Sequence, residues 1–170
     1  MNAQADTRRL GRLFGVLATV AFLALGWLAF DQLIGVRDDP NRALVLSEGG
    51  SSLVLKRNRA GHYLLPGQIN GRPVRFLLDT GATVVAVPAH LGETLQLVPG
   101  ARATVLTANG QVAVRETRIA ELAFGPFRIQ GVRAHLNPGM HGDVVLLGMS
   151  VLRDIEFTQR GDELELRLPR

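Results

Sequence analysis

The sequence predicts a small all-β domain of the barrel or sandwich type over residues 61–170. Short apolar segments, rich in Val, Leu, Ile and Phe, flank Asn-Gly pairs at 70–71 and 109–110, and such pairs are typical of tight β-hairpins. Further turn signals at Gly125-Pro126 and Gly161-Asp162 continue this spacing. Helical candidates in the domain are limited to residues 88–96 and 149–153, which leaves little room for parallel βαβ units.

The N-terminus carries an uncharged apolar run, LFGVLATVAFLALGWLAF, at residues 13–30. An α-helix rises about 1.5 Å per residue, so this run is near the shortest that crosses a hydrocarbon core of about 30 Å. Arg8, Arg9 and Arg12 precede it, and positive charge marks the cytoplasmic side of a spanning helix. The sequence therefore predicts a cytoplasmic tail at 1–12, a transmembrane helix at 13–30 and a domain on the outer side of the membrane.

Two other interpretations of this run stay open. Ala24-Leu25-Gly26 has the small-x-small pattern of a signal-peptide cleavage site, although the apolar run continues beyond it. A buried core helix is the third option, and the preceding arginines and the lack of an amphipathic pattern disfavour it. Residues 31–60 mix Pro, Gly, Ser and charged residues, and we interpret them as a tether whose short apolar pieces can add an edge strand to the domain.

Composition excludes several classes of function. The chain has 170 residues, a formal net charge of +4 and no cysteine, so a disulfide framework, a thiol nucleophile and a Cys-ligated zinc site are excluded. Charges alternate in sign along segments such as ETRIAEL and DELELRL and form no basic stripe. We therefore expect no nucleic-acid partner.

One acid interrupts an apolar run in VRFLLDTGATVVAVP, residues 74–88. Burying a carboxylate costs several kcal/mol unless hydrogen bonds or a shifted protonation equilibrium compensate, so Asp79 needs an explanation. Asp-Thr-Gly is also a common sequence in turns, so the tripeptide alone is weak evidence for a catalytic site.

A second apolar strand ends at glycine in the same way. VVLLGMSVL contains Leu146 and Leu147 followed by Gly148, and a glycine at a strand end lets another backbone come close. If this strand crosses beside the loop that carries Asp79, the acid is fixed in a dry, hydrogen-bonded position.

These motifs, in this order, resemble the retropepsin-like (clan AA) aspartic proteases. The resemblance covers about residues 62–168 and rests on the apolar strand into Asp-Thr-Gly-Ala-Thr, the Asn-Gly hairpin and the Leu-Leu-Gly strand. The chain looks most like the bacterial members in which one such domain follows one membrane anchor. The resemblance implies a closed acid-protease barrel with one or two short helices, in a bacterial inner membrane protein whose protease domain is periplasmic.

The resemblance also implies the chemistry. Aspartic proteolysis uses two carboxylates that share one proton, one activating a water and the other protonating the carbonyl oxygen. One Asp-Thr-Gly per chain then implies a homodimer with Asp79 from each protomer. In the active-site loop, Thr80 is expected to bond across the two-fold axis and Gly81 to bring its N–H to the carboxylate, and the loop is completed by Ala82 and Thr83.

The resemblance assigns a flap to the hairpin tip, formed by Thr107, Ala108, Asn109 and Gly110. The flap is expected to close over an extended protein or peptide substrate. No cofactor and no metal are expected. Viral members usually carry an Arg after Leu-Leu-Gly that braces the catalytic region, whereas Met149 and Ser150 stand here.

The sequence evidence for other candidate sites is weaker. Ser150 lacks the second glycine of a nucleophile elbow, and a Ser52–Lys56 pair would lie in the tether. His135, His141 and Asp143 are metal-ligand types in a short span, but residues 141–143 are more typical of a turn. As a second dyad acid, Asp143 lacks the Thr-Gly context. His62 and His90 are expected at the surface.

Two functions from different classes follow. The first is a membrane-anchored aspartic endopeptidase. The alternative is a catalytically silent module of the same fold that grips an extended peptide or dimerises, but such a module has no chemical need for the intact Asp79-Thr80-Gly81.

Overall fold

The computed structural model describes residues 17–27, 38–44, 52–107 and 110–168. The chain divides into two compact units, Met1–Asp38 and Asp39–Arg170. In the first unit, residues 17–27 are helical (α1) and expose their apolar side chains. Among the described residues, no helix combines the length and the apolar character needed to cross a bilayer. Residues 13–16 and 28–30 of the predicted anchor lie outside the described ranges.

The described part of the second unit is built almost entirely of β-strands, with one 3₁₀ turn at Ala89–Leu91 and one short helix, α2, at Met149–Leu152. Its described strands are β1 (Ser52–Lys56), β2 (Leu64–Ile69), β3 (Arg72–Leu78), β4 (Val85–Pro88), β5 (Arg102–Thr107), β6 (Gly110–Phe124), β7 (Phe127–Asn137), β8 (Val144–Leu147), β9 (Glu156–Arg160) and β10 (Glu163–Arg167).

Six strands close into a barrel in the order β2-β3-β8-β4-β7-β6. Closure comes from a short pairing of β2 with β6, in which Gln68 is opposite Ala123 and Ile69 is opposite Leu122. Among the described strands, β5 pairs only with β6 and extends the sheet beyond the barrel, while β1, β10 and β9 form a separate three-stranded sheet. The prediction of an all-β closed barrel with few helices is therefore confirmed.

The Asn-Gly turn between β2 and β3 shows how local sequence sets the barrel register. Asn70 and Gly71 both have positive φ, at 50° and 74°, as a type I′ hairpin turn requires. The Asn70 side chain also donates to the Leu95 carbonyl (2.8 Å) and accepts from the Glu121 N–H (3.0 Å). One residue therefore makes the turn and ties it to two other segments.

The helix predicted at 88–96 is reduced to the 3₁₀ turn Ala89–Leu91 followed by irregular turns. Gly92 weakens helix propagation, and Gln96 adopts a positive φ of 56°, which ends any continuation. The Leu97 N–H then bonds back to the Gly92 carbonyl (2.8 Å), and this contact closes the segment as a compact turn.

The barrel interior is a continuous apolar core that includes a cluster of three phenylalanines. Phe76 from β3 meets Phe124 edge to face at 6.1 Å between ring centroids, and Phe124 stacks on Phe127 at 4.9 Å. Such aromatic pairs add about 0.5–1.5 kcal/mol each beyond the burial of their area. The cluster links β3, whose last residue precedes Asp79, to the β6–β7 hairpin.

The compact unit begins at Asp39, well before the boundary predicted at residue 61. Asp39 is buried and forms an ion pair with Arg75 of β3. Asn41 donates to the carbonyls of Lys56 and Leu64 and accepts from the Lys56 N–H, each at 2.8 Å. Part of the segment predicted as a tether is thus fixed to the barrel by buried polar contacts that hydropathy does not reveal.

The Asn41→Ala substitution is expected to lower the free energy of unfolding by about 2–4 kcal/mol, because it leaves three part-buried backbone groups without their side-chain partner. Asn41 is only 2% exposed, so water cannot easily replace the lost amide. Urea unfolding of the full chain measures the effect. Gln68→Ala, at an exposed position of β2, is the control and should stay within about 0.5 kcal/mol of wild type. Equal stabilities for the two variants would contradict this role of Asn41.

Candidate active site

Asp79 stands immediately after β3, at the point where this strand runs parallel to β8. Leu78 is the register partner of Leu147, and the Asp79 N–H donates to the Leu147 carbonyl at 3.1 Å. β8 lies between β3 and β4, because Leu146 is also opposite Ala86 of β4. The structure therefore brings Leu146 and Leu147 beside the residue that sequence motifs single out.

The Asp79 carboxylate is held by its own loop and remains partly accessible. Its Oδ1 accepts the Gly81 N–H at 2.9 Å, and the Asp79 carbonyl accepts the Ala82 N–H at 3.2 Å. Asp79 is half-buried, whereas Gly81 is exposed. Within the described residues the carboxylate has no ion-pair partner, so a reacting molecule can approach an oriented carboxylate.

The other side of the loop is fixed by the start of α2. The Met149 N–H donates to the Ala82 carbonyl at 2.8 Å, and the Ser150 N–H donates to the Thr83 carbonyl at 2.9 Å. These are backbone bonds, so they do not depend on a particular side chain at position 149. In this chain, main-chain hydrogen bonds connect the loop to α2. They lie close to the position after Leu-Leu-Gly, where viral members of the resembled family are expected to carry a bracing Arg.

Gly148 makes this connection possible. A Cβ at Gly148 would lie 2.4 Å from the Val84 carbonyl oxygen and 2.7 Å from the Ala82 carbonyl oxygen. Both distances are far below van der Waals contact, and both atoms belong to the backbone. Only glycine fits where β8 passes the Asp79 loop, as expected for a close backbone approach.

Thr80 is exposed at the outer side of the loop. Its hydroxyl makes no hydrogen bond within the described residues, although every neighbour in the loop is tied by one. The side chain is therefore available to a molecule outside this chain.

The flap residues are placed only in part. β5 and β6 form the hairpin, and the Thr107 hydroxyl donates to the Gly110 carbonyl at 2.9 Å. Ala108 and Asn109 lie outside the described residues. Leu106, next to the tip, exposes 83% of its surface.

The rival sites are not assembled. Ser52 and Lys56 lie at opposite ends of β1, about 13 Å apart at the usual rise of a strand. The Ser150 hydroxyl is buried and has no hydrogen-bond partner in the part of the chain that the structure describes, so no base from that part activates it. Among the described residues, no three His, Asp or Glu side chains are grouped as metal ligands.

One side-chain contact in the structure was not predicted from the sequence. The His90 Nε2 lies 3.1 Å from the Asp143 Oδ1, and both side chains are exposed. The two residues are far apart in the sequence and carry no shared motif, so only the barrel, which places the turn after β4 beside the turn before β8, brings them together. Asp143 thus has a partner of its own and does not lie in the Asp79 loop.

A closed six-stranded barrel with an Asp-Thr-Gly loop fixed against a Leu-Leu-Gly strand is the arrangement of a retropepsin-like aspartic protease. The chain belongs to the gag-polyprotein putative aspartyl protease family, whose model matches residues 65–154.

Relatives and a solved structure agree with this membership. An uncharacterized protein from the cobV 5′ region of a Sinorhizobium species is 34% identical over 134 residues, which cover 75% of this chain and 58% of that protein. An uncharacterized protein of Rickettsia prowazekii is 29% identical over 104 residues, covering 59% of this chain and 44% of the relative. The chain thus spans about half the length of these curated relatives. The crystal structure of a retropepsin-like aspartic protease from Rickettsia conorii matches with a TM-score of 0.59 and 27% identity, over 69% of this chain and 90% of that one.

Proposed function

We propose that this protein is a membrane-anchored aspartic endopeptidase, active as a homodimer in which two Asp79 carboxylates hold and activate one water. The observation that carries the proposal is the Asp79 loop itself. The carboxylate is oriented by the Gly81 N–H, the loop is braced by α2, and the acid remains accessible. A purely structural aspartate would not need an accessible carboxylate.

The homodimer follows from the chemistry, because the reaction needs two carboxylates and the chain has one Asp-Thr-Gly. In this role Thr80 bonds across the two-fold axis, a role for which its hydroxyl is available. The hairpin from β5 and β6 acts as the flap in this proposal, and its exposed Leu106 would contact an apolar substrate side chain.

The three-stranded sheet supplies an edge for a second copy. β10 already pairs with β1 on one side and β9 on the other, so the C-terminal segment ELELRL pairs within its own chain. The outer edge of β9 has no partner strand among the described residues, and all five residues of β9 are exposed. Phe157 is opposite Leu166, which is fully buried, yet Phe157 is 47% exposed. Pairing of two β9 edges about a two-fold axis would cover it.

The Phe157→Glu substitution is expected to raise the dimer dissociation constant at least about tenfold and to lower cleavage at dilute concentrations, since it places a charge at the proposed contact. Analytical ultracentrifugation of the full chain in non-ionic detergent measures the dimer. Val98→Glu introduces the same charge at a site that is 80% exposed and outside this sheet, and it should leave the dimer unchanged. An unchanged dimer in Phe157→Glu would remove β9 from the interface.

We also propose that residues 13–30 anchor the chain in a bacterial inner membrane, with residues 1–12 cytoplasmic and the protease domain periplasmic. The apolar side chains of α1 are exposed, with Trp27 at 72%, and a bilayer would cover them.

Incubation of the full chain with a peptide library tests the proposed activity, with cleavage sites identified by mass spectrometry and the oligomeric state measured in the same samples. Cleavage inside peptides that requires the dimer supports an endopeptidase. Saturable peptide binding without cleavage, in dimeric protein, would instead support the silent module.

A further inference from the structure

A pocket of about 350 Å³ lies at the base of the β5–β6 hairpin, beside the segment that follows β4. None of its lining residues belongs to the Asp79 loop, to β8 or to α2. They are Ala89, Pro99, Arg102, Ala113, Val114, Arg115, Leu136 and Pro138.

Strand register explains the character of this pocket. Arg102 of β5 is directly opposite Arg115 of β6, and Arg115 is directly opposite Leu136 of β7. Residues opposite each other in an antiparallel pair extend from the same face, so the three form one row across three strands. Leu136 is 4% exposed and gives an apolar floor, while the two arginines are exposed and form a charged wall.

Among the described residues, no acid neutralises the two guanidinium groups of this row. Within the described parts of the chain, neither Arg102 nor Arg115 takes part in a salt bridge or a side-chain hydrogen bond. The neighbouring Glu116 follows Arg115 in the strand and therefore extends from the opposite face. Like charges directly opposite each other in a sheet are destabilising, so an anion between them would stabilise this part of the hairpin.

We propose that this pocket binds a carboxylate carried on an apolar group, with Arg102 and Arg115 holding the carboxylate and Leu136, Pro99 and Pro138 receiving the apolar part. The guanidinium fork matches a carboxylate through paired N–H···O bonds, and two forks on one face give a strong preference for the charged over the neutral form. Because the pocket joins both hairpin strands to the segment after β4, an occupied pocket would fix the base of the hairpin. The binding does not depend on the proposed peptidase activity.

The carboxylate could belong to an acidic side chain or to a chain terminus, and two probes distinguish these sources. One probe is N-acetyl-Leu-Glu-amide, with N-acetyl-Leu-Gln-amide as its neutral counterpart. The other is N-acetyl-Ala-Leu with a free C-terminal carboxylate, with its C-terminal amide as counterpart. Each is titrated into the full chain in non-ionic detergent, and NMR follows the backbone amides of Ala113 and Leu136.

At least one acid is expected to give saturable shifts at these amides, and its neutral counterpart should bind at least about tenfold more weakly. The probe that binds identifies the source as an acidic side chain, a chain terminus or both. Arg102→Gln and Arg115→Gln should each weaken binding at least about tenfold. Arg133→Gln removes the same charge from an exposed β7 position outside the pocket and should bind as wild type does.

Absence of saturable shifts with both acids, equal binding of acid and amide, or an equal loss in Arg133→Gln would overturn the proposal. Folding is checked by the unfolding temperature, which in Arg102→Gln and Arg115→Gln should equal or exceed that of wild type because a like-charge pair is removed. Arg115→Lys adds a second test, since it keeps the charge and loses the fork, and its affinity should lie between those of wild type and Arg115→Gln.

Discussion

Replacing Asp79 by Asn is expected to reduce kcat/KM for peptide cleavage at least about a thousandfold while leaving the protein folded. The amide has the shape of the carboxylate, and its oxygen can still accept the Gly81 N–H that orients this side chain. In the proposed mechanism, the substitution removes the negative charge that takes a proton from the attacking water. A peptide-cleavage assay gives the rate, and the unfolding temperature shows that the loop is still folded.

Asp143→Asn is the matched control for this substitution. Asp143 is the other acid considered for the dyad, but it contacts His90 and takes no part in the Asp79 loop. The Asp143→Asn variant should cleave peptides at close to the wild-type rate. Full cleavage by Asp79→Asn, in a preparation free of other proteases, would contradict the proposed role of Asp79.

The second large effect is expected from Gly148→Ala. Its Cβ would be placed 2.4 Å from the Val84 carbonyl oxygen, so the backbone of the loop or of β8 has to shift. Overpacking of this kind costs about 1–3 kcal/mol, and we expect a loss of stability in that range. Activity should fall more than stability alone explains, because the bond from the Met149 N–H to the Ala82 carbonyl is distorted.

Urea unfolding and kcat/KM, measured on the same preparation, separate these two losses. Gly26→Ala adds the same methyl group where nothing lies within 4 Å, and it should change neither quantity. If Gly148→Ala had wild-type stability and activity, the close approach of β8 to the loop would not be a requirement of this site.

Local signals predicted the hairpins well, because each depends on residues adjacent in the sequence. Asn70-Gly71 adopts the positive φ values that its composition predicts, and Gly125 and Gly161 also have positive φ at their turns. The parallel pairings of β3 with β8 and of β4 with β7 carry no such signal, since their strands are joined by long excursions through other elements. Sequence pattern alone left barrel and sandwich open for this reason.

Some residues of the candidate site could be predicted from the sequence, and other contacts in the structure could not. Asp79 and Gly148 stand out because an acid in an apolar run and a glycine at a strand end both need an explanation. The buried contacts of Asp39 and Asn41 were missed, since both residues lie in a polar segment whose partners are distant in the sequence. The facing arginines at 102 and 115 were missed as well, because their positions on one face depend on the register of the hairpin.

Mixing wild-type and Asp79→Asn subunits tests most directly whether two copies of Asp79 form one active site. Full-length chains are mixed at constant total concentration, allowed to exchange subunits, and assayed for peptide cleavage. If both carboxylates are needed, random pairing in an equal mixture leaves about one quarter of the wild-type rate, because only dimers with two wild-type subunits are active. A rate of about one half, falling in proportion to the wild-type fraction, would show that each subunit works alone and would contradict the shared dyad.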